Sequence, residues 1–283
     1  MKTLKLVFTI ACVAFSLNIM AQEGFQHERL SKLWTSKEGN KTPESVLLDT
    51  INKVLYVSNI DENPWEKDGK GYITKMTLSG EIITKEWVKG ISAPKGMGIS
   101  KGMLYVTNID ELVEIDIKKG SIVKKYTHPK AENLNDITVG SDGTVYISDS
   151  KGPCIFQFAK GKLDVFIESD EVKGTNGIFY ENGKLLCGQS NRIAALDLKS
   201  KTFTTVADNT GSIDGLEAVG DGSYIISDWS GKIQIIQPGI PNLTILDTTP
   251  LKINAADIEF DPRTKTLYVP TFFDDHVVAY KLL

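Results

Sequence analysis

One pattern, repeated six times at a spacing of roughly 40–50 residues, runs through nearly the whole of this 283-residue chain. Each copy opens on a small or polar pair and a hydrophobic residue, turns through a Gly/Asp/Asn-rich patch, and returns in an apolar strand. The returning strands align as Leu55-Tyr56-Val57, Leu104-Tyr105-Val106, Val145-Tyr146-Ile147, Leu185-Leu186-Cys187, Tyr224-Ile225-Ile226 and Leu267-Tyr268-Val269. Several strands per copy at this period predict an all-β, six-bladed β-propeller with four antiparallel strands per blade.

The third copy shows how a blade is written. Asn135-Asp136-Ile137-Thr138-Val139 alternates as a strand, and Asp142-Gly143 supplies a hairpin turn. Thr144–Ser148 returns, Cys154–Phe158 reads as a third strand, and Gly161 turns the chain into a fourth at Leu163–Ile167. Third strands recur at Tyr72–Leu78, Glu111–Ile117, Arg192–Leu198, Lys232–Ile236 and His276–Leu282. The sixth copy stops after its third strand. Leu30–Thr35 alternates like a strand but belongs to no copy, so it is expected to close the ring as the fourth strand of the last blade. The first copy carries an insertion, Asp61–Lys70, of surface-loop composition, placed over the channel mouth.

The chain starts differently. A basic Met1–Lys5 precedes an apolar run, Leu6–Met20, and a small-residue cleavage point at Ala21-Gln22. This reads as a signal peptide, residues 1–21, leaving a single propeller domain over 22–283 that is exported to the periplasm or secreted. Cleavage removes Lys2 and Lys5, which takes the formal charge from −4 to −6. The balance is mildly acidic with no basic patch, which argues against a nucleic-acid partner. No membrane span is expected after cleavage, and the protein is expected to be monomeric. Cys154 and Cys187 remain; they are a possible disulfide pair in an oxidising compartment, or small core residues, as their apolar flanks suggest.

Radial repetition brings equivalent positions of different copies to one axis. The opening positions are Glu44, Lys95, Asn135, Asn176, Asp214 and Ala256. Four carry side-chain oxygens suited to a hard cation such as Ca²⁺, and the set has no His or Cys to suit a structural zinc. Zn²⁺, Mn²⁺ and Mg²⁺ remain alternatives. Asn and Asp also favour the turns that precede strands, so the set has a purely structural reading too. Lys95 either faces the tunnel or is turned outward by Pro94 and Gly96. A second polar set ends the returning strands: Asn59, Asn108, Asp149, Gln189, Asp228 and Thr271. Asp149 and Asp228 are the candidates for orienting the first set, against a role capping strand ends.

Through Pro43-Glu44-Ser45-Val46, Asn135-Asp136-Ile137-Thr138-Val139, Asn176-Gly177-Ile178 and Asp214-Gly215-Leu216, the chain resembles the senescence marker protein / gluconolactonase / luciferin-regenerating enzyme family. The resemblance spans the whole mature chain. It implies a divalent cation in the tunnel held by Glu44, Asn135, Asn176 and Asp214, and hydrolysis of a small-molecule lactone or ester with Asp214 near the attacking water. The family's substrate-binding Arg is replaced by Asn133, and its glycines around the first-blade Glu by Pro43 and Ser45. Lys95, if it faces the tunnel, is placed to stabilise an oxyanion. A non-catalytic binding propeller is the competing expectation, with recognition carried by Asp61–Lys70 and Phe272–Asp275. A Ser-His nucleophile is disfavoured: His27, His128 and His276 lie outside the ring, and no Gly-x-Ser-x-Gly occurs.

Overall fold

The computed structural model describes residues 23–283; the segment read as a signal peptide lies outside the described residues. The described chain forms six antiparallel sheets, one per repeat, and helix is limited to three single 3₁₀ turns. Blade 1 runs through Pro43–Asp49, Val54–Asn59, Gly71–Thr77 and Ile82–Ile91. Blade 2 comprises Pro94–Ser100, Met103–Asn108, Glu111–Asp116 and Ser121–Thr127. Blade 3 comprises Leu134–Val139, Val145–Asp149, Cys154–Ala159 and Lys162–Glu168. Blades 4 and 5 follow the same order from Ile178 and Leu216, and blade 6 starts at Glu259.

Local chemistry sets the hairpins. Lys160 and Gly161 have φ of 52° and 77°, and Asn182 and Gly183 have 49° and 77°. Two consecutive positive φ values make the turn whose twist matches that of the flanking strands, and glycine takes its second position without steric cost.

The core is divided among the seams. One apolar cluster packs Tyr56 and Ile73 of blade 1 against Met97 and Val106 of blade 2, and equivalent clusters fill every other seam. The closing seam sets Val46 and Leu55 against Tyr268 and Val277. Each such side chain, fully buried, contributes about 1.5–3 kcal/mol, so the ring is held by neighbour-to-neighbour burial.

Closure follows the expected route. Leu30–Thr35 pairs antiparallel with Val277–Leu282, from Leu30 opposite Leu282 to Thr35 opposite Val278. Phe25–Gln26 adds an unanticipated fifth strand to blade 5, alongside Leu246 and Asp247. The first strands of blades 4 to 6 begin later than the repeat suggests, so Asn176, Asp214 and Ala256 lie in segments just ahead of Ile178, Leu216 and Glu259. The disulfide option does not occur: Cys154 and Cys187 are free, buried thiols in two different seams.

Candidate functional site

The strand ladder breaks where the opening residues lie. Pairing between the first two strands shifts register between Pro43 and Ser45, between Pro94 and Met97, and between Leu134 and Ile137. Such irregularities re-aim a side chain. Here they coincide with Glu44, Lys95 and Asn135, all of which line one pocket with Asn176 and Asp214. Five of the six opening positions therefore converge. The sixth, Ala256, packs beside the pocket against Phe272, Ile60 and Ala93.

The pocket encloses about 420 Å³ and is lined further by Pro64, Trp65, Asn133, Ser150, Trp229, Phe272 and Phe273. Lys95 is turned inward and is 5% exposed, with its Nζ 3.2 Å from Glu44 Oε1. Asn176 Nδ2 donates to Asp214 Oδ1 at 2.5 Å. Asn133 Nδ2 donates to Ser150 Oγ at 2.5 Å, and Asn135 Nδ2 reaches the same hydroxyl at 3.4 Å. Four oxygens of the pocket are buried and accept no hydrogen bond from the protein: Glu44 Oε2, Asn133 Oδ1, Asn176 Oδ1 and Asp214 Oδ2. Buried acceptors are rarely left without a partner, and four in one pocket mark it as a place for a ligand, ordered water or cation.

Electrostatics agree. Burial pushes Asp214 up to about 7, with the Glu44 carboxylate adding to the shift and Lys95 and the Asn176 amide opposing it. Glu44 is also raised by burial, against the pull of Lys95. Among the described residues, no three His, Cys, Asp or Glu side chains gather as a metal-binding group. The donor set consists of two carboxylates and amide oxygens, the chemistry of a hard cation rather than of zinc or copper.

The second polar set does not reach the first through side chains. Asp149 accepts the backbone amides of Glu132, Asn133, Lys151 and Gly152, and Asp228 accepts from Ser230. Asn108 accepts the amides of Ser92 and Ala93. These residues cap loops, because a short acceptor at a strand end satisfies the amides of the turn beside it; they hold the loops from which the pocket is built.

The residues that position the ring are one place earlier. Thr107 Oγ1 donates to the carbonyl of Asn135 at 2.5 Å, Ser148 Oγ to that of Asn176 at 2.6 Å, and Ser227 Oγ to that of Ala256 at 2.7 Å. Ser148 and Ser227 also accept amides of their own blades, from Asp136 and Gly215. One hydroxyl thus ties each of these blades to the next opening residue. The signal was present as Thr107-Asn108, Ser148-Asp149 and Ser227-Asp228, a hydroxyl followed by a capping side chain. The glycines that follow the opening residues permit the close approach: a Cβ on Gly177 would meet Asp214 O at 2.6 Å, and one on Gly215 would meet Ile258 N at 2.5 Å.

A second cavity of about 280 Å³, also lined by first strands, contains Asp136, Glu217, Asp257 and Glu259. Asp136 accepts the amide of Ile178, Asp257 accepts the Ser45 hydroxyl, and Glu259 accepts the amide of Leu48, so three of the four tie neighbouring blades together. Burial raises all four, Asp136 to about 8 and Glu259 to about 7. No lysine or arginine lines this cavity, and none of the three histidines lines either cavity.

No protein-family model matches the chain, and no curated protein matches it. Solved structures do. A candidate gluconolactonase aligns over 89% of this chain and 91% of its own, with 15% identity and a TM-score of 0.65. The chain shares its propeller fold. A luciferin-regenerating enzyme aligns over 89% and 94% of the two chains, at 16% identity and a TM-score of 0.63. A catalytically inactive virginiamycin B lyase from Staphylococcus aureus, solved with quinupristin, aligns over 90% and 99%, at 17% identity and a TM-score of 0.63. At these identities the likeness is one of fold. Two of the three names are those to which the opening residues pointed.

Proposed function

We propose that this protein is an exported hydrolase of a lactone or related ester, dependent on a divalent cation, most simply Ca²⁺. The observation that carries the reading is the group of four buried, donorless oxygens on Glu44, Asn133, Asn176 and Asp214 in one pocket. Glu44, Asn176 and Asp214 would hold the cation, with Asn135 beside them and Asn133 adding an amide oxygen that sequence reasoning did not assign. When bound, such a cation supplies a Lewis acid that polarises a carbonyl and makes water more acidic.

The chain's own residues supply the rest. Asp214, buried in the pocket with Oδ2 free of any hydrogen bond from the protein, would take the proton of the attacking water. Asn176 orients it through Oδ1. The Lys95 ammonium, buried and directed at the pocket, stands ready to leave Glu44 for an oxyanion developing on the substrate carbonyl.

One observation favours a second reading, a small-molecule binding propeller without turnover. The Lys95–Glu44 pair already neutralises one carboxylate without any cation. Elemental analysis of the purified protein and a screen of lactones and aryl esters separate the two. The hydrolase reading expects stoichiometric cation and a turnover that Asp214→Ala abolishes. Bound cation with no turnover supports the binding reading, and full activity in Asp214→Ala contradicts the role given to that residue.

A further inference from the structure

The pocket has a polar floor and aromatic walls. Trp65 comes from the blade 1 insertion and lies over blades 2 and 3, with Lys95 Nζ 5.5 Å and Lys151 Nζ 4.4 Å from its ring centroid. Trp229 lies in the loop between the second and third strands of blade 5, and Phe272 and Phe273 in the corresponding loop of blade 6. In a six-bladed ring, blades 2 and 3 stand opposite blades 5 and 6, so Trp65 lies on the other side of the shared pocket from the other three rings. These three form one wall, with centroids 4.7–5.9 Å apart in edge-to-face contacts. Trp65, Trp229 and Phe273 nevertheless remain 55%, 43% and 64% exposed.

Exposed aromatics gathered at a pocket mouth have not finished burying their surface. Nor is the wall accidental in its backbone. Phe272 has φ of 50°, a conformation that bulky residues avoid and that tends to cluster at ligand sites. The walls offer almost no hydrogen bonds: Pro64, Phe272 and Phe273 have no polar side-chain atoms, and each tryptophan has a single N–H. The amides of the lining are committed on their donor sides, Asn133 and Asn135 to Ser150 and Asn176 to Asp214. A polyhydroxylated ring between these walls would find partners only on the side turned to the floor; hydroxyls held against the rings would be buried without them, at roughly 1–3 kcal/mol each. A flat apolar ring would incur no such cost and would gain stacking.

We propose that the substrate is an ester or lactone fused to or bearing a flat aromatic body, gripped between Trp65 and the Trp229–Phe273 wall with its carbonyl lowered to the polar floor. The inference rests on the hydrolase reading for the bond that is cleaved, but the shape and polarity of the ligand are argued from the walls alone.

The test is therefore a binding measurement that needs no turnover. 3,4-Dihydroquinolin-2-one, a non-hydrolysable lactam of an aryl lactone, and gluconolactam, its polyhydroxylated counterpart, are titrated calorimetrically into wild type, Trp65→Ala and Phe273→Ala. Both substitutions are at exposed rings, and retained thermal unfolding confirms the fold. The aryl lactam should bind at least tenfold tighter than gluconolactam, and each substitution should weaken it about tenfold while leaving gluconolactam unchanged. Equal or tighter binding of gluconolactam, no binding of the aryl lactam, or variants indistinguishable from wild type would overturn the proposal. Aryl-lactam binding with dihydrocoumarin turnover that survives Asp214→Ala would uphold the substrate class and overturn the catalytic assignment instead.

Discussion

Ser148 Oγ stands 2.6 Å from the carbonyl oxygen of Asn176, one blade away, and accepts the Asp136 amide of its own blade at 2.9 Å. A single inaccessible hydroxyl therefore fixes a pocket residue through the backbone rather than through its side chain. Ser148→Ala would leave a buried N–H and a buried C=O without partners, at about 1–3 kcal/mol. Ser148→Thr keeps the hydroxyl, as Thr107 does in blade 2, and should cost less. Urea unfolding of the two variants checks this; equal losses would show that packing, not the hydrogen bonds, is what Ser148 contributes.

Lys95 and Glu44 form the most enclosed ion pair of the site, at 3.2 Å. Lys95→Met should destabilise the cation-free protein by about 3–5 kcal/mol, because a buried carboxylate loses its counter-charge. The same change removes a positive charge that competes for Glu44, so Ca²⁺ should bind roughly tenfold tighter, about 1.4 kcal/mol. Calorimetric titration reads the affinity and denaturation reads the stability. Weaker Ca²⁺ binding in the variant would contradict the competition.

Acidity should stabilise the cation-free protein. Asp136 and Glu259 are raised to about 8 and about 7 by burial, whereas unfolded carboxylates titrate near ~4. Between those values the folded chain keeps protons that the unfolded chain has released, so stability falls as pH rises through the window. Unfolding in chelator at pH 5, 6.5 and 8 should show a progressive loss. Glu259→Gln, which can still accept the Leu48 amide, should flatten the slope near pH 7. A stability that rises with pH would contradict the assignment of these shifts.

Gly215→Ala tests how tightly the blades meet. The added methyl would lie 2.5 Å from Ile258 N and 3.0 Å from Asp257 Oδ1. Backbone cannot yield as a flexible side chain would, and overpacking of this kind costs about 1–3 kcal/mol. Displacement of the adjoining Asp214 should weaken Ca²⁺ binding as well. Unchanged stability and affinity would mean that the seam has slack here.

The ring and its closure were legible because both are periodic. Turns such as Asn182-Gly183 announce themselves, and Leu30–Thr35 alternates in a chain whose sixth copy lacks a strand. The convergence of Glu44, Lys95, Asn135, Asn176 and Asp214 followed from the same symmetry. What escaped was aperiodic. Phe25–Gln26 is too short to declare itself a strand, and its pairing with Leu246 and Asp247 joins distant parts of the chain. Phe272–Asp275 was marked as a recognition segment under the binding reading, but Trp229 was not, and it meets Phe272 and Phe273 only because two neighbouring blades bring their loops together. Asp149 and Asp228 were open in sequence between orienting the opening residues and capping strand ends, and a carboxylate at a strand end is drawn first to the loop amides beside it.

The central claim is that Glu44, Asn176 and Asp214 share one cation, and a crystal structure determined in millimolar Ca²⁺ tests it most directly. The account predicts an ion about 2.3–2.6 Å from Glu44 Oε2, Asn176 Oδ1 and Asp214 Oδ2. A pocket holding no ion under those conditions, with Lys95 still closed on Glu44, would contradict it.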